Sequence, residues 1–236
     1  MTDFTVTLAG RSFRVSARYA ETASYFPAPD PEAPLVPGAP VSIPETDWQE
    51  YLQSGMEDCA HTEYSMLTAH CSDALLAFDC VILHAAALRW RDRSWLIIAP
   101  SGVGKSTQTR NLQALLPGEV SVICGDRPVL ERCGGAFRVH PSPWNGKENW
   151  HGAEAAPLAG LILLSRGPEN RLTALTDREA ALTMYQHFLQ SAWEPENIRR
   201  VAALETRLLR AVPIWLLESD QVPDSTRLLL DAVFPR

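Results

Sequence analysis

The sequence predicts an α/β fold, a mixed sheet flanked by helices, with a small strand-rich region at its amino end. Three observations predict it. From residue 64 onward, short apolar strands alternate with helical apolar spacing; a glycine-rich loop, APSGVGKST, stands between an apolar strand and a helical segment; and residues 3–17 alternate about Gly10-Arg11.

Taken in order, FTVTLA and SFRVSA read as two strands of a hairpin. Prolines then crowd residues 26–44 (Pro27, Pro29, Pro31, Pro34, Pro37, Pro40 and Pro44), and a stretch so short of amide donors is expected to be an extended or loop-like connector. From Tyr64 the residues Leu67, Cys71, Leu75 and Phe78 share one helical face, and that helix should end before Cys80. VILHAAALRW and SWLIIAP read as two strands joined by a turn at Arg91-Asp92-Arg93, delivering the chain to the glycine-rich loop and a helix. Strands VSVIC, PVLER and FRVHP follow, the last two about Gly134-Gly135, and then the long apolar strand LAGLILLS. Thr176 is placed to cap a helix running to Ser191, with Leu182, Tyr185 and Leu189 on one face. A second helix is expected over residues 195–211, then strand PIWLLES and helix TRLLLDAV.

The bulk numbers exclude several classes of function. At 236 residues the chain can bury one sizeable core. No stretch approaches the roughly 20 uncharged apolar residues of a membrane-spanning helix, so no membrane role is expected. The net charge of −7, with basic residues scattered, offers no stripe to neutralise a nucleic-acid backbone. MTDFTVTLAG has no basic segment followed by an apolar run, and a cytoplasmic location is expected. The five cysteines form no C-x-x-C pair and no metal-ligand spacing with histidine, so reduced, mostly buried thiols are expected.

The strongest motif is APSGVGKST, residues 99–107. It fits the Walker A pattern G-x-x-x-x-G-K-[ST] with Ala99 in place of the first glycine. Glycines at 102 and 104 let the backbone curl so that amides near Ser101, Val103 and Thr107 converge on phosphate oxygens, and the following helix adds its positive end. Lys105 can reach the β- and γ-phosphates, and the Ser106 hydroxyl can ligate Mg²⁺. ATP and Mg²⁺ are therefore the expected ligands. Asp126, at the carboxyl end of strand VSVIC, stands where such sheets carry ligand chemistry, as a metal ligand or a base, although an aspartate there is also a common turn former. The loop HPSPWNGKENW reads as a substrate loop, or as a rigid turn with Trp144 packed on the core. Within it, Lys147 and Glu148 form a charged pair able to orient an acceptor.

Together these segments resemble the catalytic domain of the HPr serine kinase/phosphorylase family, whose core is related to ATP-dependent phosphoenolpyruvate carboxykinase. The resemblance spans residues 80–236 and is carried by His84 with AAAL, APSGVGKST, GDRPVL, PWNGKE and PIWLLES. It is similar in particular to a branch of small bacterial HPr-kinase-like proteins. The resemblance implies a P-loop kinase domain, which, with the core expected to begin near Pro44, is placed at residues 46–236 behind a strand-rich region with its connector at 1–45. It also implies that His84, twenty-one residues before Lys105, is a phosphate contact and that Asp126 is the base that accepts the hydroxyl proton. Where the family has two adjacent acids, this chain has Gly125-Asp126, so the first acid is missing. The family's HPr-binding signature is absent too.

The implied activity is Mg·ATP-dependent transfer of the γ-phosphoryl group to a hydroxyl of a peptide, small protein or small molecule. An oligomer is compatible with it. The alternative is a non-catalytic ATP-binding regulatory or scaffold protein, suggested by Gly125 and Ala99.

Overall fold

The computed structural model describes residues 1–150, 152, 154–191, 194–220 and 222–234. It opens with the hairpin β1 (Thr2–Leu8) and β2 (Arg11–Ala17), paired from Thr2↔Ala17 to Leu8↔Arg11. Both turn residues have positive φ, Ala9 at 47° and Gly10 at 71°, the two-residue geometry whose twist matches that of the strands. The proline-rich connector runs alongside. Its Leu35 and Val41 make isolated parallel bridges to Ser12 and Val15.

Helices α1 (Glu45–Gln53) and α2 (Ala60–Leu75) follow, and a 3₁₀ turn over Leu76–Phe78 ends in a left-handed Asp79. The predicted face is real, since Leu67, Cys71 and Leu75 are fully buried. Helix α1 is not expected from the sequence; it is a short segment that follows directly on the last of the crowded prolines, Pro44. Val6, Leu8, Phe13 and Val15 of the hairpin pack with Trp48, Leu67, Leu75 and Trp144 in one cluster.

The main sheet has the order β3 (Cys80–Ile82), β7 (Val129–Cys133), β8 (Ala136–His140), β9 (Ala156–Arg166), β5 (Arg93–Ile98), β4 (Ala85–Trp90), β6 (Val120–Cys124). Strand β11 (Ile214–Ser219) pairs with the second half of β9, and β10 (Arg171–Leu175) with β11. Strand β9 is parallel to both β5 and β11, while the other pairings are antiparallel, so the sheet is mixed, as predicted.

Helices cover both faces. On one, α4 (Asp177–Tyr185) and α5 (Pro195–Ala211) bury Ala180, Met184, Val201, Leu204 and Leu208. On the other, α3 (Lys105–Leu115) and α6 (Val222–Ala232) bury Leu112 and Leu229. Among the described residues no helix is long and apolar enough to cross a membrane.

Two expectations need correction. VILHAAALRW is not one strand. After Ile82 the backbone leaves β7, the His84 amide donates to the carbonyl of His187 at 2.8 Å, and β4 starts only at Ala85, whose amide donates to the Asp126 carbonyl at 2.8 Å. The helix capped by Thr176 stops at Tyr185, and its buried face is Ala180 and Met184; Leu182 is 90% exposed. Thr176 itself does cap, in a reciprocal box with Glu179. The cysteines are as expected: all five are free and three, Cys71, Cys80 and Cys124, are buried, while Cys133 is exposed and Cys59 lies between.

Candidate active site

The site forms where β5, β6 and the bend at His84 end on the same side of the sheet. Strand β5 runs into the glycine-rich loop, in which Gly102 (φ 79°) and Gly104 (φ 123°) hold left-handed geometry that an L side chain resists. An added Cβ at either glycine meets nothing within 4 Å, so they are required by backbone conformation and their surroundings are open. Gly104 caps α3 with no side-chain hydrogen bond. The first-turn amides of α3 are therefore left for an anion.

A cavity of about 540 Å³ gathers nearly every residue singled out in the sequence. The glycine-rich loop contributes Ser101, Gly102, Gly104, Lys105, Ser106 and Thr107, the opposite wall is Gly125 with Asp126, and the lip carries Lys147 and Glu148. His84 lies between them. Val103 is the exception, since its side chain packs against the apolar cluster under α3.

Lys105, only 9% exposed, donates to the Ala99 carbonyl at 2.8 Å and lies 3.0 Å from His84 Nε2. The same Nε2 is 3.3 Å from Asp126 Oδ1, so this one nitrogen touches both groups, accepting from the ammonium when it is unprotonated and donating to the carboxylate when it carries the proton. Burial pulls the Lys105 amine below its usual range, with the charge of Asp126 opposing. For Asp126, burial pushes upward, yet the hydrogen bond and charge of His84, and then Arg127 and Lys105, outweigh it and hold the carboxyl below its ordinary value.

Three contributors were missed. Arg127 sets its Nε 3.3 Å from Asp126 Oδ2 and donates through Nη1 to Ser65 O (3.1 Å) and Thr68 Oγ1 (2.7 Å), tying the aspartate to α2. Its position next to Asp126 was the only sequence signal. Asn145 lines the cavity and buries an Oδ1 with no hydrogen-bond partner among the described residues. His187 packs its ring 6.0 Å from that of His84, with a buried Nε2 that has no partner among the described residues, and burial, followed by the charges of His84 and Lys105, lowers its pKa to about 4.

Of the two readings of the 140–150 loop, the structure shows the packed turn. Trp144 is buried and its indole N–H donates to the Tyr64 carbonyl at 2.8 Å, while residues 145–148 line the cavity. The loop then docks on β6, where the Gly125 amide donates to Trp150 O at 2.9 Å and the Gly152 amide to Ile123 O at 2.8 Å. A Cβ on Gly125 would lie 2.4 Å from the Asn145 carbonyl oxygen, closer than real Cβ atoms come. The loop backbone therefore fills the space beside Gly125 where a side chain would start. Glu148 is held by Arg110 of α3 at 2.9 Å.

The set suits a magnesium nucleotide. Open amides at a helix start, a buried lysine, a hydroxyl at Ser106 and a carboxylate at Asp126 share one cavity. Among the described residues no three His, Cys, Asp or Glu converge into a metal site of their own. A bound ion would rely on Ser106, Asp126, water and phosphate oxygens.

Among curated proteins, none matches the chain. Among solved structures, it is similar to the Hpr(Ser) kinase/phosphatase from Coxiella burnetii, at 14% identity and a TM-score of 0.38, over 64% of this chain and 93% of that one. The family model described as SynChlorMet cassette protein ScmC matches residues 59–220, well over half of the sequence, and the chain belongs to that family.

Proposed function

We propose that the chain is an ATP- and Mg²⁺-dependent P-loop kinase of the HPr-kinase type, acting in the cytoplasm and phosphorylating a hydroxyl acceptor with Asp126 as base. One observation carries the reading: Lys105, His84 and Asp126 form a continuous chain of contacts, 3.0 Å and 3.3 Å long, on the floor of the cavity that the glycine-rich loop encloses.

Amides from Ser101 to Thr107 cradle the phosphates, and Lys105 neutralises charge that spreads over the transferred group. Held between two partners, His84 fixes the lysine relative to the carboxylate. Asp126 stays ionised because His84, Arg127 and Lys105 surround it, so it is available to accept a proton. As the acceptor oxygen bonds to the γ-phosphorus, the bond from phosphorus to the bridging oxygen breaks, ADP leaves with that electron pair, and the hydroxyl proton passes to Asp126. Magnesium, held by Ser106 and Asp126, would supply charge neutralisation at the phosphates. Lys147, on the lip, is a candidate acceptor contact; Glu148 is one only after parting from Arg110.

Asp126→Asn tests the base. Mg·ATP binding is expected to persist while turnover falls by about 10²-fold or more, and unchanged turnover would retire the assignment. A second reading, a nucleotide-binding regulator or scaffold without transfer, is favoured by Gly125, where the loop excludes a second acid. Magnesium-dependent ATP binding, with no ADP formed in the presence of hydroxyl acceptors, would select it.

A further inference from the structure

A second hollow, of about 400 Å³, shares Asp126, Arg127, Asn145, Gly146 and Lys147 with the phosphate-loop cavity but contains none of residues 101–107. Its other walls are four aromatic rings, Tyr25, His61, Tyr64 and Trp144, with Ser65, Pro143 and Asn149 beside them. Tyr25 stands 5.1 Å from Tyr64 and 5.6 Å from His61 between ring centroids, and Tyr64 stacks on Trp144 at 5.9 Å. The platform is fixed, because Tyr64 Oη donates to Pro143 O at 2.7 Å and Trp144 Nε1 to Tyr64 O at 2.8 Å. Tyr25, at 42% exposure, forms the open rim. Beyond it the hollow runs into a third, of about 470 Å³, which shares Tyr25, Pro143 and Asn145 and adds Phe26, Pro27 and Pro141.

We infer that the phosphoryl acceptor is a polypeptide segment lying along these two hollows, with a serine-type hydroxyl at Asp126 and an aromatic or proline side chain, within two residues of it, against Tyr25 and Tyr64. The inference rests on the kinase reading above. An attacking hydroxyl must reach the base from outside the phosphate cradle, and the second hollow meets the first at Asp126. Two hollows in series suit an extended chain better than a compact molecule, and fixed ring faces favour flat side chains and proline.

The charge agrees. Of the cations facing the hollow, Arg127 is already engaged by Asp126, Ser65 and Thr68, leaving Lys147 without the partner cation that a small dianionic substrate would need. The transfer balances as before: the serine oxygen gains phosphorus, its proton goes to Asp126, and ADP departs. Residues 1–45, through Tyr25, Phe26 and Pro27, thereby serve the acceptor rather than the nucleotide.

The test uses the full chain, γ-labelled Mg·ATP and capped hexapeptides with one central serine. These carry tyrosine, phenylalanine or proline at positions within two residues of the serine, against an all-glycine control. The inference expects at least one flanked peptide to be labelled about tenfold faster than the control, the scale of an aromatic contact. It also expects the preference to collapse in Tyr25→Ala and to weaken in His61→Ala. Equal labelling of flanked and control peptides, a preference untouched by Tyr25→Ala, or no labelled peptide from a chain that binds Mg·ATP would each overturn it. Absence of Mg·ATP binding, measured separately by titration, would instead sink the kinase reading beneath it.

Discussion

Gly125→Ala is a change of one methyl group with an outcome that follows from three distances. Gly125 is not among the glycines with positive φ, so alanine is tolerated by the backbone and the whole effect is steric. The added Cβ would sit 2.4 Å from the Asn145 carbonyl oxygen and 3.3 Å from Trp150 Cβ, and contacts under 3.0 Å force something to shift. Both obstructing groups belong to the loop docked on β6, and β6 is held in the sheet, so it is the loop that moves, by about 0.6–1 Å, an estimate that restores ordinary contact distances. That loop also carries Gly146, where an added Cβ would lie 2.9 Å from Asp126 Cβ, and its displacement loosens the wall behind the proposed base. Overpacking of this kind costs about 1–3 kcal/mol. A misplacement of about 1 Å costs on the order of 10² in rate. The expected result is a lowered Tm, turnover reduced by about 10²-fold, and Mg·ATP affinity nearly unchanged, because the phosphate loop lies on β5 and α3. Thermal melts, nucleotide titration and turnover on the same preparation decide it. Wild-type stability and turnover together would refute the reasoning that Gly125 exists to admit the loop.

Two further predictions concern buried titratable groups. His187 is lowered from its ordinary 6.5 to about 4, by burial first, so its contribution to stability is complete above pH 6.5 and is lost as pH falls towards about 4. In His187→Phe, the denaturation midpoint should lose part of its slope over that window, and an unchanged slope would dismiss the assignment. Glu205, raised from 4.5 to about 7 by burial and with Oε1 unpartnered among the described residues, has the opposite sign: its stabilising contribution, complete below pH 4.5, is lost as pH rises through 7. Glu205→Gln should therefore raise stability at pH 8 by about 2 kcal/mol, the scale of a buried unsatisfied group, and leave it nearly unchanged at pH 4.5. Urea titrations at the two pH values check this.

How much was legible in the sequence follows from how local each signal is. The glycine-rich loop is a local backbone device, and its six cavity-lining residues could be named because glycine, lysine and serine at fixed spacing dictate the curl and its contacts. The hairpin, the turn at Arg91 and helix α5 are likewise set by near neighbours. His84 was placed by the family resemblance, but the bend that delivers it was not foreseen. VILHAAALRW reads as one apolar run, and the break arises from hydrogen bonds to His187 and Asp126, far along the chain. Leu182 was assigned to a buried face because apolar spacing alone does not show where a helix ends. Strand β10, alternating and largely exposed, carries too little apolar signal beside its partner β11. Arg127, Asn145 and His187 gain their roles by crossing from one element to another, as when Arg127 reaches α2. Gly125 looked like the loss of an acid. The structure adds a reason, the backbone of the 145–150 loop lying where a side chain would start.

The most direct test of the central claim is calorimetric titration of Mg·AMP-PNP into the wild-type chain and into Lys105→Ala. The account predicts magnesium-dependent binding by the wild type and a loss of affinity of about 10- to 100-fold in the variant, from removal of a charge-assisted contact to phosphate. No binding heat in the wild type, or equal affinity in the two proteins, would contradict it.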